Sequence, residues 1–126
     1  MRAVDTNVLV RLLTQDDKAQ AESAEEFVRG GAWVSHLVLA ETAWVLRTLY
    51  GRDQKQVADA IEHLLTHEEL SLQDADTVKT GLDRFRLLRG VGFTDCLVLE
   101  IARKAGHLPL ATFDRAFSKL EGTIRL

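Results

Sequence analysis

The sequence predicts an α/β fold of three layers, with five short strands in one mostly parallel sheet flanked by helices. Three observations carry that expectation. Short apolar runs alternate with longer amphipathic stretches along the whole chain. Acids and hydroxyl residues that open helices, and glycines that close them, punctuate the joins. Helices separate successive strands, and a parallel neighbour needs just such a long crossover.

Taken in order, residues 2–5 read as a first strand, and Thr6 caps a helix over 7–13 with Val8, Leu9, Leu12 and Leu13 at helical spacing. Asp16 or Asp17 opens a helix to Arg29, stopped by Gly30-Gly31. A second strand over 32–34 leads to Ser35, a cap for the helix that carries Glu41 and stops near Gly51. Asp53 begins a helix ending near Leu65, and 70–72 is a third strand. Asp74 or Asp76 caps a helix through Leu88, closed by Gly90. Phe93-Thr94 opens the helix that carries Asp95 and ends at Gly106. A fourth strand over 108–111 has Pro109 at its entrance, where a missing N–H is tolerated. A short helix over 113–120 and a last strand over 123–125 complete the chain.

A length of 126 residues points to one domain, 1–126, able to bury roughly two-thirds of the unfolded chain's surface. The apolar share of 46% and charged share of 28% are those of a soluble globule. Cys96 stands alone, so no internal disulfide forms and nothing argues for secretion. No long apolar run exists, and Arg2 is soon followed by Asp5, which disfavours a signal peptide or a membrane span. The expected location is therefore cytoplasmic. A net charge of −3 argues at first against a nucleic-acid partner. If a cation engages four of the acids, however, the remaining surface is slightly basic, and overall charge does not decide.

Four acids stand out. Glu41 has Leu37, Val38, Trp44 and Val45 as its axial neighbours on a helix, so its carboxylate is expected to point into an apolar surface. Asp95 repeats the pattern with Val91, Val98 and Leu99, while Asp5 and Asp114 each follow an apolar run. An ordinary acid here looks different: Asp59 has Lys55, Gln56, Glu62 and His63 at the same offsets, a solvated face. In parallel sheets ligands bind beyond the carboxyl ends of the strands. Asp5 and Asp114 fall just past strand ends, and Glu41 and Asp95 lie early in helices on that same rim. Two carboxylates about 4 Å apart repel by roughly 4 kcal/mol at an effective dielectric near 20. Four together either take up protons or hold a cation. All-oxygen donors suit Mg²⁺ or Mn²⁺, and such a centre serves phosphodiester hydrolysis. Simpler roles stand beside this one: Asp5, Asp95 and Asp114 suit helix capping or the helix dipole, and Glu41 a buried ion pair.

Other candidates are weaker. His63 and His67 share a helix face but lack the glutamate of a zinc-protease helix. Cys96 has no histidine placed by sequence to activate it and reads as core. Gly90-Val91-Gly92 lacks the lysine and preceding strand of a phosphate loop. Arg84, Arg86 and Arg89 form either an RNA-phosphate contact or a solvated helix face.

The runs Val4-Asp5-Thr6-Asn7-Val8-Leu9, Leu39-Ala40-Glu41, Phe93-Thr94-Asp95-Cys96-Leu97 and Ala111-Thr112-Phe113-Asp114-Arg115 resemble, in order and spacing, the four motifs of PIN-domain ribonucleases, and within them the VapC-like toxins of toxin–antitoxin pairs. The resemblance covers essentially the whole chain. It implies that Asp5, Glu41, Asp95 and Asp114 are the metal-binding, catalytic acids, with Asn7 and Thr112 orienting carboxylates or water behind them. Many relatives carry a further polar or acidic residue near the position of Ala116, so a second metal ion is in question here. The implied activity is a Mg²⁺-dependent endoribonuclease that leaves a 5′-phosphate and a 3′-hydroxyl.

Two other functions fit the class. A haloacid-dehalogenase-like phosphatase would use Asp5 as nucleophile, but Asn7 stands where it wants a second acid. A receiver-like signalling domain would want paired acids after the first strand and a lysine after the last, and neither is present. The first helix and the Glu41 helix are both apolar on several sides, which predicts a partner surface involving Leu9, Leu12, Trp44 and Leu49. By resemblance its occupant is an antitoxin helix that brings a basic side chain to the acids. A homodimer would bury the same surface.

Overall fold

The computed structural model describes residues Met1–Leu126 and divides into two compact units, Met1–Ala75 and Asp76–Leu126. In the first, β1 (Arg2–Ala3), β2 (Ala32–Val34) and β3 (Leu70–Leu72) form a parallel sheet in that order. Arg2 pairs with Ala32, and Ala32 in turn with Leu70. Two helices fill each crossover: α1 (Thr6–Thr14) and α2 (Lys18–Val28) between β1 and β2, then α3 (His36–Thr48) and α4 (Gln54–Thr66) between β2 and β3.

Each helix of this unit starts at a residue whose side chain caps it. The side chains of Asp17 and Ser35 accept from the backbone N–H three residues on, and Asp53 with Gln56 forms a reciprocal capping box. Leu9, Leu39, Ile61, Leu64 and Val34 are fully buried and make the core of this unit. A polar clasp fastens the ends of α1 and α3. The Tyr50 hydroxyl donates to Asp16 Oδ2 at 2.8 Å and accepts from Arg11 Nη1 at 3.1 Å. The hydroxyls of Thr14 and then Tyr50 hold the Asp16 carboxyl below its usual range. Its ionised form is thus the one the fold favours, a contribution lost as pH falls through that depressed value.

The second unit contains α5 (Ala75–Leu87) apart from its first residue, α6 (Phe93–Ala105), β4 (Leu110–Thr112) and β5 (Thr123–Arg125), the last two paired in parallel. Backbones of α5 and α6 approach closely at Gly81, where an added Cβ would sit 3.5 Å from Leu97 Cα. Phe85 and Phe93 pack edge to face at 6.0 Å. Glu100 is buried at 4% exposure, with Arg84 Nε 3.0 Å and Arg103 Nε 3.4 Å from its two oxygens. Arg103 Nη2 also donates to the carbonyl of Glu121 at 2.8 Å, just before β5.

The α/β class and parallel pairing hold, with three departures from expectation. The five strands form two sheets, of three and two strands, rather than one. The helix expected over 113–120 is a single 3₁₀ turn, Phe117–Lys119, preceded by a turn in which Asp114 Oδ1 accepts from Phe117 N. Helix α1 is capped by Asp5, not Thr6, whose side chain is buried. No helix is long and apolar enough to cross a membrane.

Stripping both arginines from Glu100 strands a buried carboxylate, whereas replacing Glu100 frees two arginines that are partly solvated already. Arg84→Ala with Arg103→Ala is therefore expected to lower stability by about 3 kcal/mol, and Glu100→Leu by only about 1 kcal/mol. Urea denaturation checks the order, and an inverted order would disprove the account.

Candidate functional site

Asp5 lies two residues beyond β1, after Val4, whose N–H continues the sheet by donating to the carbonyl of Trp33 at 3.1 Å. Its carboxylate is exposed, and Oδ1 accepts from Thr6 N at 2.6 Å. Parallel pairing of β1 with β2 puts the start of α3 on the same edge as Asp5. Glu41 follows five residues into α3, about 7.5 Å along the helix axis.

The burial expected of Glu41 is not observed. Leu39, Thr42, Ala43 and Leu46 form the inward face of α3, while Glu41 lies on the opposite face between Leu37, 79% exposed, and Trp44, 56% exposed. Its apolar neighbours are themselves at the surface, so the carboxylate remains hydrated and needs no buried partner.

In the second unit, Asp95 is the third residue of α6 and half-buried. The N-cap is Gly92, which has no side chain to offer, and Asp95 lies in the first turn, where its charge suits the helix dipole. Asp114 is exposed two residues beyond β4; its N–H donates to Thr112 Oγ1 at 3.0 Å and its Oδ1 accepts from Phe117 N at 2.7 Å. The far end of α6 is tied through Arg103 to Glu121, at the amino ends of β4 and β5. Before its near end, Gly90 lies beside Ala116, 3.7 Å from where its Cβ would be. Helix α6 therefore runs against the strands, and Asp95 and Asp114 share the carboxyl edge of their sheet.

Each unit thus carries two of the four acids on one sheet edge. Within neither unit do three His, Cys, Asp or Glu side chains gather closely enough to hold a metal ion. Two of the carboxylates, Asp5 and Asp114, are engaged with backbone N–H groups, as a capping role predicts. The donor set nonetheless has the right chemistry for a hard divalent cation: carboxylate oxygens only, exposed or half-buried, with no thiolate or imidazole among them.

The remaining candidates sort clearly. Thr112 touches Asp114 directly, and Asn7 is exposed in the first turn of α1. Arg84 is committed to Glu100, while Arg86 and Arg89 are exposed. Leu9 is fully buried and cannot line a partner groove; Leu12 is half-buried, and Trp44 and Leu49 stand exposed. His67 Nδ1 accepts from Glu69 N at 3.0 Å, a turn-holding role. Burial, then the charges of Asp95 and Glu100, push the Cys96 thiol up to about 11.

The sequence profile of the PIN domain matches residues 2–122. The chain belongs to the PIN-domain family. The matched span contains all four acids of this PIN domain. A VapC ribonuclease of Aquifex aeolicus (strain VF5) is 24% identical over 126 residues, covering 95% of this chain and 92% of that one. No solved structure matches.

A thiol so placed is a poor nucleophile. Cys96 is expected to resist a disulfide exchange reagent at pH 8 in the native PIN domain and to react fully in denaturant. Rapid native labelling, followed by absorbance, would contradict its burial.

Proposed function

We propose that this PIN-domain chain is a divalent-metal-dependent endoribonuclease and the toxin of a toxin–antitoxin pair, both units working as one nuclease domain. Family membership across residues 2–122, with two acids on the carboxyl edge of each parallel sheet, is the observation that carries the reading. Similarity to a VapC ribonuclease over nearly the full length supports RNA as the substrate.

Asp5 and Asp95 would hold the ion, with Glu41 and Asp114 completing the acidic shell or orienting water. Bound there, Mg²⁺ or Mn²⁺ supplies Lewis acidity toward a phosphate oxygen and lowers the pKa of water. The chain's own residues do the rest. Thr112 fixes the backbone of Asp114, the N–H of Thr6 restricts the Asp5 carboxylate, and Asn7 orients a neighbouring carboxylate or water. Attack in line on phosphorus would leave a 5′-phosphate and a 3′-hydroxyl.

Because Asp5 also caps α1, Asp5→Ala confounds chemistry with about 1 kcal/mol of lost capping. Asp5→Asn keeps the cap and isolates the charge. Asp5→Asn and Asp95→Asn are each expected to reduce Mg²⁺-dependent RNA cleavage by roughly 100-fold or more with melting temperature nearly unchanged, and chelation should abolish wild-type cleavage. Full activity in both folded variants would sink the assignment.

The antitoxin is proposed to lie on the outward face of α3, where Leu37, Trp44 and Leu49 are exposed around Glu41, and to send a basic side chain toward the acids. A homodimer is proposed to use the same apolar surface. Since Leu9 is core, the informative pair is Trp44→Glu with Leu49→Glu. It is expected to weaken neutralisation at least tenfold, or about 1.4 kcal/mol, while RNA cleavage persists. Neutralisation of the folded double variant at wild-type antitoxin doses would place the partner elsewhere.

A further inference from the structure

We propose that Phe113 is a stacking platform for one unpaired base of the RNA, set beside Asp114 and flanked by arginines that take the adjoining phosphates. This rests on the ribonuclease reading and names the feature of RNA that residues 76–126 grip. The ring is 78% exposed, although an apolar side chain of that size gains by burial. Its exposure is not that of a loose loop. The residue before it, Thr112, is paired in β4, and the residue after it is fixed three times: Asp114 N to Thr112 Oγ1, Phe117 N to Asp114 Oδ1, and Ser118 N to Asp114 O at 3.0 Å. A fixed turn therefore presents the ring at the carboxyl edge that also carries Asp95.

Charge selects the occupant. Residues 76–126 carry nine Lys and Arg against six Asp and Glu, whereas residues 1–75 carry seven against thirteen. Arg115 is exposed directly after Asp114, and the approach of Gly90 to Ala116 brings the exposed Arg89 to the same turn. An apolar ring among arginines suits a polyanion that also offers flat faces. Stacking tolerates every base, because each has a π face, and arginine supplies the phosphate contacts. Bases in a duplex are already stacked, so the substrate is single-stranded at this point.

The test uses the full chain and a short unpaired oligoribonucleotide spanning the wild-type cleavage position mapped in cellular RNA. Phe113→Ala and Phe113→Leu are expected to raise KM about 5- to 100-fold with kcat little changed, and Phe113→Trp to retain wild-type KM. Leucine keeps the apolar contact without the π face, so it separates stacking from simple burial. An abasic nucleotide walked through the oligonucleotide should raise the wild-type KM at one position and have no further effect there on Phe113→Ala. If the alanine and leucine variants cleave as wild type does, the platform is wrong and the nuclease reading stands. If wild type cleaves no RNA with Mg²⁺ or Mn²⁺, both fall. If Phe113→Ala cleaves normally but dissociates a dimer in sedimentation or escapes the antitoxin, the ring belongs to a protein interface and the proposal is overturned.

Discussion

Parallel strand pairing is the constraint on which the rest of this protein depends. A strand that must run the same way as its neighbour cannot return by a tight turn, so the chain crosses back through helices. In residues 1–75 two helices fill each crossover, whereas the segment between β4 and β5 holds a single 3₁₀ turn. Strand ends and helix starts consequently share an edge. There backbone N–H groups at helix starts lack intrahelical partners, and acids are favoured. Asp5 and Asp114 satisfy those N–H groups, and Asp95 sits in the first turn of α6. One topological rule thus assembles acids at each edge before any chemistry is asked of them.

Within that frame the two kinds of carboxylate differ in what surrounds them. Glu100 is enclosed, and its charge is matched by Arg84 and Arg103. A buried charge so paired ties α5 and α6 together and, through Arg103, the approach to β5. Asp5, Glu41 and Asp114 are open to water. Exposure leaves their oxygens accessible at little desolvation cost, which is what a hard-cation site wants and what a structural ion pair does not require.

Much of this arrangement was legible in the residues alone, and the failures have physical causes. The caps Asp17, Ser35 and Asp53 were readable because capping is local chemistry. Strands 32–34, 70–72 and 123–125 stand where their apolar runs placed them. Sheet membership was not readable, since it depends on which distant strands pair. Periodicity showed that Glu41 shares a face with Leu37 and Trp44 but not whether that face turns inward; the core lies behind Leu39 and Leu46 instead. Glu100 escaped notice because its neighbours on α6, Arg103 and Lys104 among them, look like a solvated helix end, and Arg84 lies far away in sequence. For the acids themselves, the residues indicated which edge they occupy, while their mutual distances depend on packing that no motif encodes.

The hydrogen bond from Thr6 N to the Asp5 carboxylate has an evolutionary side. Asparagine caps a helix about as well as aspartate and differs from it by one nucleotide in the codon. A single base change at this position therefore yields a chain with the same cap, the same core and the same outer face of α3, short of one negative charge. On the proposed reading such an allele is chemically silent yet still occupies antitoxin. Alanine, by contrast, would give a less stable chain with a shorter lifetime in the cell. The cap makes the difference between a gene that decays and one that persists as a decoy.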